Sequence, residues 1–226
     1  MKLSRLVVNP LCRDVARAVA DVHRLHQLVM TGFDGDAGPA ARARHGVLHR
    51  LEMDPQGSAL LLYVQSSSDP NWSRLPAGCL VALEDRGNPQ VRDLHELDRV
   101  AAGAVARFRL RANPTRKIGT KSVDGQRRHG RRVPHRDDLH CIEWLVRKGT
   151  NHGFEVMSDG LQQPRVVLVR EPMRRGRRSS TAITFEGVRF DGLLRVTDTD
   201  AFRAGVISGI GSGKAFGFGL LSFAPI

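Results

Sequence analysis

The chain has 226 residues, of which 41% are hydrophobic and 26% charged, enough for one large or two small globular domains and too apolar for a disordered chain. No run approaches the roughly 20 apolar residues of a membrane span and the opening "MKLSRLVVNP" is too short in apolar residues for a signal peptide, so a cytoplasmic protein without a membrane partner is expected. Lysine and arginine number 35 against 23 acidic residues, a formal charge of +12 that points to a polyanionic partner.

Along the chain, "LSRLVV" reads as a β-strand closed by Asn9-Pro10, because proline cannot donate to a strand ladder. Over residues 14–30, Val15, Ala18, Val19, Val22, Leu25, Leu28 and Val29 recur at helical spacing and predict one helix, followed by the loop "TGFDGDAGPA". "GVLHRLEM" and "ALLLYVQS" flank the turn-like "DPQG" and predict two strands, and "CLVAL" (79–83) a further one. The polar stretch 84–100 reads as a connection, with a domain boundary near 85–103.

The pattern then restarts. "AVARFRLRA" (104–112) alternates as a strand, residues 137–148 carry Leu139, Ile142, Leu145 and Val146 at helical spacing, and "RVVLVR", "TAITFEGVRF" and "LLRVT" supply strands. A short helix over 200–207 leads to a glycine-rich tail and a last strand, "GLLSF". Two successive β-α-β-β-α-β sets predict an α+β protein of two tandem ferredoxin-like (RRM-like) domains, over residues 1–90 and 104–226.

The scattered Cys12, Cys79 and Cys141 have no CxxC spacing and predict neither a disulfide nor zinc. The tail "GIGSGKAFGFGLLSFAPI" holds five glycines in eleven positions and one lysine, yet it is not a phosphate-binding P-loop. Counting back from Gly213-Lys214, the first glycine of that motif falls on Ser208, and Ala215 stands where magnesium needs a hydroxyl. A dinucleotide fingerprint from Gly211 fails at Phe216. The remaining readings are a loop that lets a sugar–phosphate backbone approach and a set of tight turns that serves packing.

This tail closely resembles the C-terminal signature of the CasE-type CRISPR RNA endoribonucleases of the repeat-associated mysterious protein superfamily. In the same order, "LSRLVVNP" resembles that family's first strand, "VQSSSDPNWSRLP" its Q-x-x-x-x-P-[DN]-W segment and "RFRLRANPTRK" its R-x-R-L-R-A-N-P motif. The resemblance implies two ferredoxin-like domains that bind the stem-loop of a CRISPR repeat transcript and cut at the 3′ side of the stem. It also implies a metal-independent reaction giving a 2′,3′-cyclic phosphate, with no cofactor, and retention of the product within the type I-E Cascade complex alongside its other subunits.

"DVHRLHQL" is similar to the family's Y-x-x-H helix, which places His26 at the catalytic position and His23 where the family has tyrosine. Cleavage through the 2′-hydroxyl needs a base and an acid, histidine serves as either near neutral pH, and residues three apart share a helix face. RNA affinity is expected from two basic segments. One holds Arg127, Arg128, Arg131 and Arg132; the other holds Arg170, Arg174, Arg175, Arg177 and Arg178 and is read as a β-hairpin tip between strands. Gly211, Gly213 and Lys214 are expected to meet the RNA backbone, and Arg111 and Lys117, beside Asn113 and Pro114 of the R-A-N-P motif, are further candidates to touch RNA. Trp72 is expected in the core. A non-catalytic RNA-binding scaffold of the same superfamily would share the basic segments without needing the histidine pair.

Overall fold

Two antiparallel sheets repeat one strand order along the chain. In the computed structural model, which describes residues 1–33, 40–83, 87–119, 130–178 and 180–226 except the Arg178 side chain, the first sheet contains β1 (Lys2–Val8), β2 (Leu48–Met53), β3 (Leu60–Ser66) and β4 (Gln90–Asp93) in the order β2-β3-β1-β4. Read from the other edge this is fourth-first-third-second, the ferredoxin-like order. Helices α1 (Arg13–Ala20), α2 (Val22–Met30) and the short α3 (Ala41–Arg44) cross from β1 to β2, and Val15, Leu25 and Val29 pack with Leu6, Leu51, Leu62 and Val64 in one apolar cluster. Burying each such side chain contributes about 1.5–3 kcal/mol.

The α4 helix (His95–Arg99) leads into β5 (Val105–Ala112), and β6 (Thr115–Ile118) pairs with β7 (Arg131–Pro134) as a separate ribbon. Next come α5 (Asp138–Asn151), β8 (Phe154–Val156), β9 (Val166–Arg170), the ribbon of β10 (Arg174–Arg178) with β11 (Thr181–Phe185), β12 (Val188–Val196), α6 (Thr199–Ser208) and β13 (Leu221–Pro225). The second sheet runs β13-β5-β12-β8, again fourth-first-third-second, with β9 also on β12. Both of its crossovers are helices, α5 and α6, and Trp144, Leu145, Phe202 and Val206 meet Leu110, Phe154, Phe190 and Leu194 in its core. The chain is therefore an α+β protein of tandem ferredoxin-like units.

Several elements differ from the sequence expectation. The helix expected over 14–30 is two helices, because Asp21 leaves helical geometry and its carboxylate accepts from the N–H groups of His23 and Arg24 as the N-cap of α2. "CLVAL" forms only an isolated bridge, Leu80 to Val8, and β4 inside the polar connection takes the edge beside β1. Among the described residues the first unit has no second crossover helix, only a single 3-10 turn at Trp72–Arg74. "TAITFEGVRF" divides at residues 186–187, its first half pairing with β10 and its second continuing through "LLRVT" as the single strand β12. Residues 34–39 of the predicted loop lie outside the described residues.

Trp72 is in the core as expected, its indole N–H donating to Ser4 Oγ at 3.0 Å. A cleft of about 690 Å³ separates the two sheets, lined by Arg50, Glu52, Tyr63, Arg107, Arg109 and Asp191 among others. Glu52 and Asp191 pair with Arg50 and Arg109 there, so much of its cationic charge is neutralised internally.

Candidate active site

Residues from four elements meet at the N-terminal half of α2. His23 and His26 share one face of that helix, with ring centroids 6.4 Å apart. Beyond His26 comes a third ring, His49 of β2, its centroid also 6.4 Å away and its plane within 17° of parallel. β2 is buried on both faces: Arg50 turns toward the inter-sheet cleft, and His49, the next residue, turns toward α2. The result is a row of three imidazoles in which Nδ1 of His23, Nδ1 of His26 and Nε2 of His49 are buried without hydrogen-bond partners among the described residues.

The electrostatics hold the two inner rings neutral. Burial first, then His23 and Arg42, push His26 down to about 4. Burial, followed by His26, Arg111 and Arg42, pushes the wholly buried His49 down to about 3. A neutral imidazole at pH 7 has a free lone pair, the form that accepts a proton.

Two cations complete the cluster. Arg42 of α3 donates to the Val47 carbonyl at 3.0 Å, and its charge reaches His26, His49 and Lys214. Lys214 opens a 3-10 turn, Lys214–Phe216, that packs on both α2 and β2, and burial lowers its pKa. Among the described residues no carboxylate pairs with either. Gly217, at φ 85°, lets the tail pass the site: a Cβ there would stand 3.5 Å from His49 Nε2 and 3.6 Å from Arg111 Nη1. Among the described residues no three His, Cys, Asp or Glu side chains gather as a metal-ligand set. Neutral rings beside uncompensated cations suit an anionic ester from which a proton must be removed.

The basic ribbon docks on the same helix. Gly176 of β10 lies so close to the start of α2 that an added Cβ would meet Val22 Cγ2 at 2.8 Å, Asp21 Oδ1 at 2.9 Å and His23 N at 3.1 Å. The next residue, Arg177, donates its backbone N–H to Asp21 Oδ2 at 3.2 Å. Asp21 thus caps α2 with one oxygen and holds the ribbon with the other.

The basic residues named from the sequence separate into groups. The arginines expected at a hairpin tip form the strand β10 itself, since residues 174–178 pair in register with 181–185. Arg175 and Arg177 are exposed there, whereas Arg174 is half-buried, reaches the Val19 carbonyl and is lowered by burial. The Arg178 side chain lies outside the described residues. Arg170, on β9, is committed to Asp138 and to the Arg136 carbonyl. Arg131 and Arg132 are exposed on β7 opposite Ile118 and Lys117, while Arg127 and Arg128 lie outside the described residues.

Arg111 is no surface cation: it is 3% exposed, ion-paired with Glu171 and set over the Phe218 ring. Gly211 and Gly213 back onto Trp144 and onto Phe218 and Phe185, so the packing role expected of the tail is visible at both. His49 and Arg42 escaped sequence reasoning. A histidine inside the strand pattern "GVLHRLEM" was the one available signal.

With this geometry in place, the comparisons with known proteins agree. The family described as "CRISPR associated protein" matches residues 1–225. The chain is 29% identical to the CRISPR-associated endoribonuclease Cse3 of Thermus thermophilus over the whole of both chains. It is 30% identical to the CRISPR system Cascade subunit CasE of Escherichia coli, over 67% of this chain and 77% of that protein. A solved structure of Thermus thermophilus Cse3, bound to an RNA representing a pre-cleavage complex, superposes with a TM-score of 0.80 at 28% identity, covering 99% of this chain and 98% of that one.

Proposed function

The chain belongs to the CRISPR associated protein family, and on that footing we propose that it is a CasE-type endoribonuclease that binds and cleaves the repeat stem-loop of precursor CRISPR RNA. The observation that carries the catalytic part is His26, a ring held neutral between His23 and His49, with the charge of Arg42 acting on it and the Lys214 turn packed on the same helix; among the described residues neither cation has a carboxylate partner. His26 takes the proton from the 2′-hydroxyl, and the freed oxygen attacks the adjacent phosphorus. As the bond from phosphorus to the 5′-oxygen breaks, His23 supplies that oxygen with a proton. The products are a 2′,3′-cyclic phosphate and a 5′-hydroxyl. Arg42 and Lys214 offset the charge that gathers on the phosphorane oxygens.

This chemistry assigns both proton transfers to side chains and needs no metal or other cofactor. The N-terminal unit, residues 1–90 with β4 carrying its sheet from Gln90 to Asp93, supplies the reacting groups. The C-terminal unit, residues 104–226, supplies the ribbon and the tail. Arg175, Arg177, Arg131 and Arg132, extended by Arg127, Arg128 and Arg178, meet phosphates along the stem, since an A-form groove hides its base edges from side chains. Gly211 and Gly213 carry the backbone of the tail toward the same RNA, and Arg170 and Arg174 brace the ribbon. Likeness to a Cascade subunit supports a cytoplasmic protein that stays on its product and joins the other Cascade subunits.

The test is a synthetic repeat hairpin incubated with the protein in a metal chelator. Full-rate cleavage leaving a cyclic phosphate is expected. A chelator-sensitive reaction, or binding without cleavage as in a scaffold protein, would overturn the reading.

A further inference from the structure

The strand β1 and the segment after the 3-10 turn at Trp72–Arg74 run side by side outside the histidine cluster. Asn9 donates its backbone N–H to the Cys79 carbonyl at 2.8 Å, Asn9 Nδ2 donates to the Gly78 carbonyl, and Val81 donates to the Val7 carbonyl. A turn closed by Cys12 N–H to the Asn9 carbonyl then folds the chain back, so that Cys12 Sγ stands 3.5 Å from Cys79 Sγ. The sulfurs come from positions 67 residues apart, and the backbone on both sides is already hydrogen-bonded.

We propose that Cys12 and Cys79 form a reversible dithiol–disulfide site that closes when the protein meets a peroxide. The two cysteines have unlike surroundings, as that chemistry requires. Cys12 is half-buried at the start of α1, where the N–H groups of the first turn, Val15's foremost, hold its thiol below the usual range. Cys79 is buried, and burial pushes its thiol up to about 12. Cys12 is thus the attacking sulfur and Cys79 the resolving one.

The steps balance as follows. The Cys12 thiol gives its proton to solvent and the thiolate attacks one peroxide oxygen; an S–O bond forms, the O–O bond breaks and the other oxygen leaves as hydroxide, which takes up that proton as water. Cys79 sulfur then attacks Cys12 sulfur; the S–S bond forms, the S–O bond breaks, and the departing hydroxide takes the Cys79 proton as a second water. Two thiols and one hydrogen peroxide become a disulfide and two waters, with the sulfurs losing two electrons and the peroxide gaining them. Closure brings the sulfurs from 3.5 Å to about 2.05 Å. The bridge then ties the β1–α1 junction to the 78–81 segment.

The experiment treats the full chain with stoichiometric hydrogen peroxide, alkylates the remaining thiols and maps peptides by mass. Expected are a Cys12–Cys79 cross-linked peptide, alkylation of Cys141 alone, and recovery of all three thiols after dithiothreitol. The Cys141→Ser variant should cross-link as readily and melt at least about 5 °C higher when oxidised, and Cys12→Ser should leave Cys79 unoxidised. Cys12 halted as a sulfinic acid with Cys79 still alkylated, or a link to Cys141 or to a second copy, would overturn the site. A cross-link without the rise in melting temperature would overturn its action as a staple.

Discussion

His26 stacks on His49, centroids 6.4 Å apart and planes 17° apart, although one ring rides on the helix α2 and the other on the strand β2. The contact sets a half-buried ring against a wholly buried one. Both are held as neutral imidazoles at pH 7.

His26→Ala is expected to reduce single-turnover cleavage of a cognate repeat hairpin by about 10²–10⁴-fold while leaving RNA affinity close to that of the parent, because a general base acts only in the chemical step. His23→Ala should slow cleavage at least tenfold. A smaller loss would remove His23 from the acid role.

Stability should fall as the solution is acidified below about 6.5, the ordinary histidine pKa. Between that value and about 4 the unfolded chain protonates His26 and His49 while the folded chain keeps both neutral, so the unfolded state binds more protons and folding weakens as pH falls. His49 alone continues the trend to about 3. The slope is at most about 1.4 kcal/mol per pH unit for each ring, with solvent screening reducing the share of half-buried His26. Melting temperatures across this range should show the slope, and His49→Gln should flatten it.

Gly176→Val places carbon atoms where Val22, Asp21 and the His23 N–H already are. Separating β10 from α2 should destabilise the fold by about 1–3 kcal/mol, the usual penalty of overpacking. RNA affinity and cleavage should fall together, whereas Gly176→Ala should show the smaller form of both effects. Denaturant titration and a binding isotherm read the two quantities separately.

Lys214 and the exposed arginines of the ribbon should respond differently to substitution. Lys214→Ala is expected to lower the cleavage rate even at saturating RNA, because its 3-10 turn packs on α2 and its charge is felt together with that of Arg42. Arg175→Ala should lower affinity alone. If about six phosphates are neutralised, log K against log salt should slope by about −4 to −5, and Arg175→Ala should make that slope shallower by about one.

What the sequence determined by itself was local periodicity, net charge and short ordered motifs. These carry the α+β class, the repeated β-α-β-β pattern, the histidine face of α2 and the glycine tail, since each is a property of neighbouring residues. Tertiary structure decided what depends on distant partners. Asp21 breaks the expected helix because its carboxylate serves both the cap of α2 and the N–H of Arg177. "CLVAL" yields the sheet edge to β4, since a strand needs a ladder as well as a suitable composition. Arg111, basic by type, is buried by Glu171 and Phe218. His49 and Lys214 are 23 and 188 positions from His26, yet they join its cluster because β2 packs under α2 and the tail folds back over both. Side chains so far apart along the chain leave no mark in its period: packing within the first unit brings the two rings together, and only the second unit's tail brings Lys214 to them.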